Sequence, residues 1–171
     1  MKSLEKKAIE QLLSIVPNYP ATRLLEINDG GEELSLELKR FAKEREFEYL
    51  LNIVDDEFYN RAKEIYSDGN FCIVHKMKFE QRRYVNMAKQ FDFAFITASI
   101  PLEIREEFLK KVHSHIKNSG NIILFLPKDD LKLKELWWQS LEDTLFVAIN
   151  NIDMFKNYEI IIAKKMHGWG K

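Results

Sequence analysis

The chain has 171 residues, 46% of them hydrophobic and 12% aromatic, enough to bury one sizeable core and, at this length, most simply a single domain spanning 1–171. Its 26 basic and 27 acidic residues leave a formal net charge of -1, so no global field draws it to nucleic acid or to an anionic membrane, and any basic face must be local. Cys72 is the only cysteine, which excludes an internal disulfide and a cysteine-based zinc site and fits a reducing compartment.

From Met1 to Val16, charged and apolar residues alternate at helical spacing without the uninterrupted apolar core of a signal peptide. The spacing predicts a helix over Leu4 to Val16, closed by Pro17, with residues 1–20 leading into a core at 21–171. No run reaches the roughly 18 apolar residues needed to cross a bilayer, so a soluble cytoplasmic protein is expected. Arg23 to Ile27 reads as a buried strand. Gly30 and Gly31 follow, where backbone can approach another group closely, and Leu34, Leu38 and Phe41 then mark a helix over Glu33 to Lys43.

Glu48 to Val54 is a second apolar strand, and Asp56 to Tyr66 a helix with acids in its first turn and Asp55 placed to cap it. Phe71 to Val74 is the third strand, within which Cys72 reads as a buried thiol. Lys78 to Gln90 is expected to be helical, with Tyr84, Ala88 and Phe91 sharing a face. Asp92 to Thr97 is a fourth strand. Pro101 opens a helix reaching Ile116, and Asn118-Ser-Gly120 stops it before the fifth strand, Asn121 to Leu126. Strands alternating with helices of this length build a parallel sheet covered on both faces.

After a helix over Asp129 to Ser140, the strands Thr144 to Asn150 and Tyr158 to Lys164 are only seven residues apart. That gap is too short for a parallel crossover, so the last pair must be antiparallel. Trp137 and Trp138 cannot both face the core from one helix. His113 and His115, two apart on a helix, point in directions too different to chelate one ion and read as surface histidines. The Glu80-Gln-Arg-Arg-Tyr84 segment and the Trp169-bearing tail from Lys164 to Lys171 are the two candidate partner-binding features, the tail folding back on a sheet edge in the simpler case.

This order of elements resembles the class I S-adenosylmethionine-dependent methyltransferase superfamily. Leu25-Glu-Ile-Asn-Asp-Gly-Gly-Glu-Glu-Leu-Ser35 is similar to its first motif, Asp92-Phe-Ala-Phe-Ile96 to its fourth strand, and Tyr158-Glu-Ile-Ile-Ile-Ala-Lys-Lys165 to its last. The resemblance implies an α/β fold: a three-layer, Rossmann-like, seven-stranded, mostly parallel sheet with a C-terminal antiparallel hairpin. It implies S-adenosylmethionine as cofactor, with contacts from Glu26, Asn28, Asp29, Gly30, Gly31, Asp55 and Thr97, and Glu26 facing the methionine end.

Asn28 and Glu32 stand where the family has its first and third glycines, and Ile53 or Asp55 where it has an acid for the ribose, depending on register. Asp29 and Glu32 form a possible capping box for the helix they precede. Ile96-Thr-Ala-Ser-Ile-Pro101 carries no acceptor-orienting Asn/Asp-Pro-Pro motif and no acidic pair for magnesium, so no catalytic residue or metal is named; Thr97 and Ser99 line a pocket or cap backbone. Two functions follow. One is an S-adenosylmethionine-binding methyltransferase-like protein with an unknown small-molecule or macromolecular acceptor. The other is a non-catalytic interaction or scaffolding module, its pocket partly closed by Asn28, Glu32 and Ile53.

Overall fold

The computed structural model describes residues 2–69, 71–85 and 88–167. In chain order these form α1 (Lys6–Leu13), β1 (Arg23–Asn28), α2 (Glu33–Arg45), β2 (Glu48–Ile53), α3 (Asp56–Ile65), β3 (Cys72–Lys76) and β4 (Phe91–Ile96). A short 3-10 turn (Leu102–Ile104) then leads into α4 (Arg105–His115), β5 (Ile116–Pro127), α5 (Leu131–Asp143), β6 (Phe146–Ile152) and β7 (Tyr158–Lys165). The strands make one seven-stranded sheet in the order β3-β2-β1-β4-β5-β7-β6. The first five are parallel, while β7 runs antiparallel to both β5 and β6, as the short final connection requires.

The side-chain alternation of a strand divides the core in two. Leu24, Tyr49, Leu51 and Phe95 pack on one face beneath Leu12 of α1, Leu38 of α2 and Phe58 of α3. Leu25, Ile27, Leu50 and Ala94 face the other way, beneath Phe108 of α4 and Trp137 of α5. Both faces are covered, which is why β1, β2 and β4 read as nearly continuous apolar runs. Trp137 is the buried member of its pair, and Cys72 is buried with its thiol pushed up to about 12 by loss of solvation.

Four expectations are corrected. Lys78 to Gln90 forms no helix among its described residues: Tyr84 and Val85 are consecutive and both buried, Ala88 is exposed, and Phe91 belongs to β4. Side chains satisfy this backbone instead, Asn52 donating to the Tyr84 carbonyl at 2.8 Å and Lys111 to the Phe79 carbonyl at 3.0 Å. The first helix runs Lys6–Leu13 rather than Leu4 to Val16: Ile15 and Val16 bond three residues back, to Leu12 and Leu13, so the last turn tightens before Pro17.

No loop separates α4 from β5. The strand starts at Ile116, and Gly120 lies within it where a Cβ would meet Ile116 Cγ2 at 2.6 Å. His115 is buried rather than at the surface, and His113 sets its ring edge-on to Phe146, with centroids 5.1 Å apart. The Trp169 tail feature lies beyond the described residues.

Candidate functional site

The chain leaves β1 toward β2 and β3, and leaves β4 toward β5, so the strand order reverses between β1 and β4. In an open α/β sheet a crevice forms outside the carboxyl ends of the strands at such a reversal. Two turns flank it here, residues 28–32 after β1 and 97–100 after β4. The amides of Thr97 and Ala98 both donate to the Ile27 carbonyl at 3.0 Å, fixing the second turn against the first strand.

Glu26 and Asn28 share a strand face with Leu24, so their side chains run beneath α2 rather than into the crevice, and both are fully buried. The Glu26 carboxyl receives the Tyr49 hydroxyl, Ser35 Oγ at 3.0 and 3.1 Å, Asn28 Nδ2 at 2.9 Å and Thr97 Oγ1 at 3.3 Å. Burial raises its pKa to about 7, and the four donors hold it from rising further. Asn28 also donates to the Gly31 carbonyl, and its Oδ1 accepts from the amides of Gly30 at 2.7 Å and Gly31 at 3.0 Å. Its side chain thus braces the turn from below.

That geometry overturns the capping expectation. Glu32 occupies the N-cap position of α2 but makes no side-chain cap; it reaches Arg61 of α3 at 3.7 Å. Asp29 crosses to the other turn, where its Oδ2 accepts from the Ser99 amide at 2.7 Å. Asp55 does cap α3, its Oδ1 accepting from the Phe58 amide at 2.6 Å. Ile53, at the end of β2, is buried in the core.

Gly30 leaves open space beside its Cα. Its φ is +141°, and a Cβ built on it meets nothing within 4 Å. Beside the crevice, a cavity of about 170 Å³ opens at the carboxyl ends of β4 and β5 under the start of α5. Ile96, Ala98, Leu124, Leu126, Leu133 and Trp137 give it an apolar wall, and Thr97, Ser99 and Tyr158 are also among its lining residues. Sequence reasoning singled out Glu26, Gly30 and Thr97 but missed Tyr49 and Ser35, which the register of β2 and the tilt of α2 bring to Glu26.

No protein-family model and no curated protein matches the chain. Among solved structures it is similar to an S-adenosylmethionine-dependent O-methyltransferase from Thermotoga maritima, with 11% identity and a TM-score of 0.75 over 100% of this chain and 69% of that one. It is also similar to the CurJ carbon methyltransferase (17% identity, TM-score 0.68, 95% of this chain and 53% of that one). A third likeness is to the CMeT domain of the citrinin polyketide synthase (12% identity, TM-score 0.71, 93% and 50%). The chain spans about half the length of these last two. Identities this low establish the fold, which is methyltransferase-like, and leave the chemistry to the site.

Proposed function

We propose that the chain binds S-adenosylmethionine in the crevice between the turns after β1 and β4, and passes a methyl group to an acceptor held in the adjoining cavity. The observation that carries this reading is Gly30, whose open Cα face at the reversal of strand order leaves room for a ligand against bare backbone. The donor set suits a cationic amino acid joined to a ribose. Asp29 and Asp55 each use one carboxylate oxygen within the chain and keep the other without a partner among the described residues.

Asp29 would face the cationic end and Asp55 the ribose hydroxyls, while Gly30 and Gly31 admit close approach. Glu26, Asn28 and Ser35 would shape the turn from beneath rather than meet the cofactor. Thr97 joins that network to the floor of the crevice. No acid directly follows β3, where Met77 and Lys78 stand. When bound, the cofactor supplies an electrophilic methyl group on a sulfonium. What the chain supplies is placement, since transfer by proximity and orientation needs no protein base when the acceptor is already nucleophilic or ionises readily.

One observation favours a second reading, a non-catalytic module built on the same fold: the Asp29 to Ser99 hydrogen bond ties the two turns together across the crevice. Thermal unfolding with S-adenosylmethionine and S-adenosylhomocysteine separates the two. Ligand at about 100 times its dissociation constant stabilises a binding protein by about 2.7 kcal/mol. Gly30→Val removes that shift under the first reading, because valine is strained at this φ and fills the open face. Absence of any shift at millimolar ligand defeats cofactor binding and leaves the second reading.

A further inference from the structure

The cavity beside the crevice limits what an acceptor can be. Its described lining contains no Asp, Glu, His, Lys, Arg or Cys. Of its three hydroxyl-bearing residues, Thr97 bonds to Glu26 and the Ile27 carbonyl, and Tyr158 already accepts from the Lys2 amide at 2.6 Å. Ser99 Oγ has no partner among the described residues, and Ser99 is exposed at the mouth. Leu102 lines the cavity at 39% exposure, and Leu131, 66% exposed, lies in the first turn of α5 at the same end of the sheet, so the approach is apolar too. A cavity of about 150 Å³ walled by aliphatic and aromatic side chains accommodates benzene. At about 170 Å³, this one takes a single ring with one small substituent.

We propose that the acceptor is an uncharged, apolar thiol of about one ring in size, an assignment that rests on the cofactor reading above. Five nucleophiles compete. An alcohol or a carbon acid must lose its proton to a base, and the lining holds none. A carboxylate enters the cavity fully charged with no cation to meet it, at a large loss of solvation. A neutral amine or ring nitrogen would become a cation as it is methylated, in a lining without a carboxylate.

A thiol enters neutral and, although loss of solvation raises it above the reference value of about 8.5 as it does for Cys72, it remains far more acidic than an alcohol. A neighbouring sulfonium favours the thiolate further. The balance is then simple. The thiol proton goes to water at the exposed Ser99 mouth, and a sulfur lone pair forms the new bond to the methyl carbon. The bond from that carbon to the donor sulfur breaks with its electron pair left on the donor. Thiolate and sulfonium charges cancel, leaving two neutral thioethers and no charge in the apolar cavity.

The test uses the full chain with methyl-labelled S-adenosylmethionine and four probes of one size: phenylmethanethiol, phenylmethanol, phenylmethylamine and benzoate. The thiol should be labelled faster than each of the others by about tenfold or more. Equal or faster labelling of any other probe overturns the assignment. Leu102→Trp narrows the mouth at an exposed position and should cut labelling by about tenfold while leaving the thermal shift with S-adenosylmethionine intact. Ala98→Ile, which fills the cavity, should do the same, with circular dichroism checking its fold.

Binding of phenylmethanethiol is also read without cofactor, by saturation-transfer NMR. If S-adenosylmethionine gives no shift, the cofactor reading fails by itself. If the thiol fails to bind the native chain, or binds the Leu102→Trp chain equally well, the acceptor assignment fails whatever the cofactor does.

Discussion

Glu26 is a carboxyl surrounded by donors rather than by a cation, and that choice decides how it behaves. With no lysine or arginine paired to it among the described residues, loss of solvation outweighs the hydrogen bonds and its pKa is raised to about 7. Tyr49 is the leading donor, so Tyr49→Phe should push the Glu26 pKa higher still, a shift that carbon-detected NMR of the carboxyl reads directly. Because the folded value lies above the ordinary 4.5, the folded state holds the extra proton between the two. The stability it contributes is complete below 4.5 and is lost as pH rises through about 7, to the extent of about 3 kcal/mol.

Asn28 is the other half of the arrangement. Asn28→Gly places a glycine where the resemblance to methyltransferases expects one, yet strips Gly30 and Gly31 of their amide acceptor and Glu26 of one donor. Several buried hydrogen bonds at roughly 1 kcal/mol each predict a loss of about 3 kcal/mol, measured as a lower urea midpoint. The sequence carried the signal for this role. Positions 26 and 28 share the parity of Leu24, so all three point to one face of the sheet, opposite to Leu25 and Ile27, and that face is the one α2 covers. Matching to glycines hid it, because a motif records which residue is unusual and not where its side chain goes.

Helix boundaries follow the same contest between local bonding and burial. Asp55 caps α3 with one oxygen and keeps a negative charge at the helix N-terminus. Asp55→Ala should cost about 1 kcal/mol of stability, while Asp55→Asn should retain most of it. If Asp55 also takes ribose hydroxyls, the asparagine variant weakens the cofactor-induced thermal shift with little change in the unliganded midpoint. Where apolar periodicity and burial agree, as in β1, β2, α3 and α5, the elements were legible with small boundary errors. The seven-residue final gap, in turn, fixed the hairpin.

Lys78 to Gln90 failed for a physical reason. Of the expected stripe only Tyr84 is buried in this segment, Ala88 being exposed and Phe91 part of β4, and Asn52 and Lys111, distant in sequence, satisfy backbone that a helix would have satisfied itself. The crevice was legible as a place, since strand order and a glycine turn define it. Its contacts were not, because Tyr49 meets Glu26, and Ser99 meets Asp29, through pairings that only the folded sheet sets.

Acid and neutral pH should act on opposite ends of the fold. His113 and His115, at the end of α4, both have Nε2 buried without a partner among the described residues, and both are held below the usual histidine pKa by loss of solvation. Lys165 on β7 adds like charge to both, and Arg83 does so to His115; the Leu145 backbone partly offsets this at His113. A histidine that is neutral when folded contributes stability that is complete above its unfolded pKa of about 6.5 and is lost as pH falls toward its folded value.

Glu26 changes stability in the opposite direction over much of the same range, so between pH 5 and 7 the two slopes oppose each other. Urea midpoints of the native chain should therefore vary weakly across that window. His115→Leu removes the buried imidazole and with it much of the loss at low pH, so its midpoint should fall more steeply than the native one as pH rises from 5 to 7. If the two profiles are parallel, His115 is not holding a neutral ring against protonation, and the weak pH dependence has another origin.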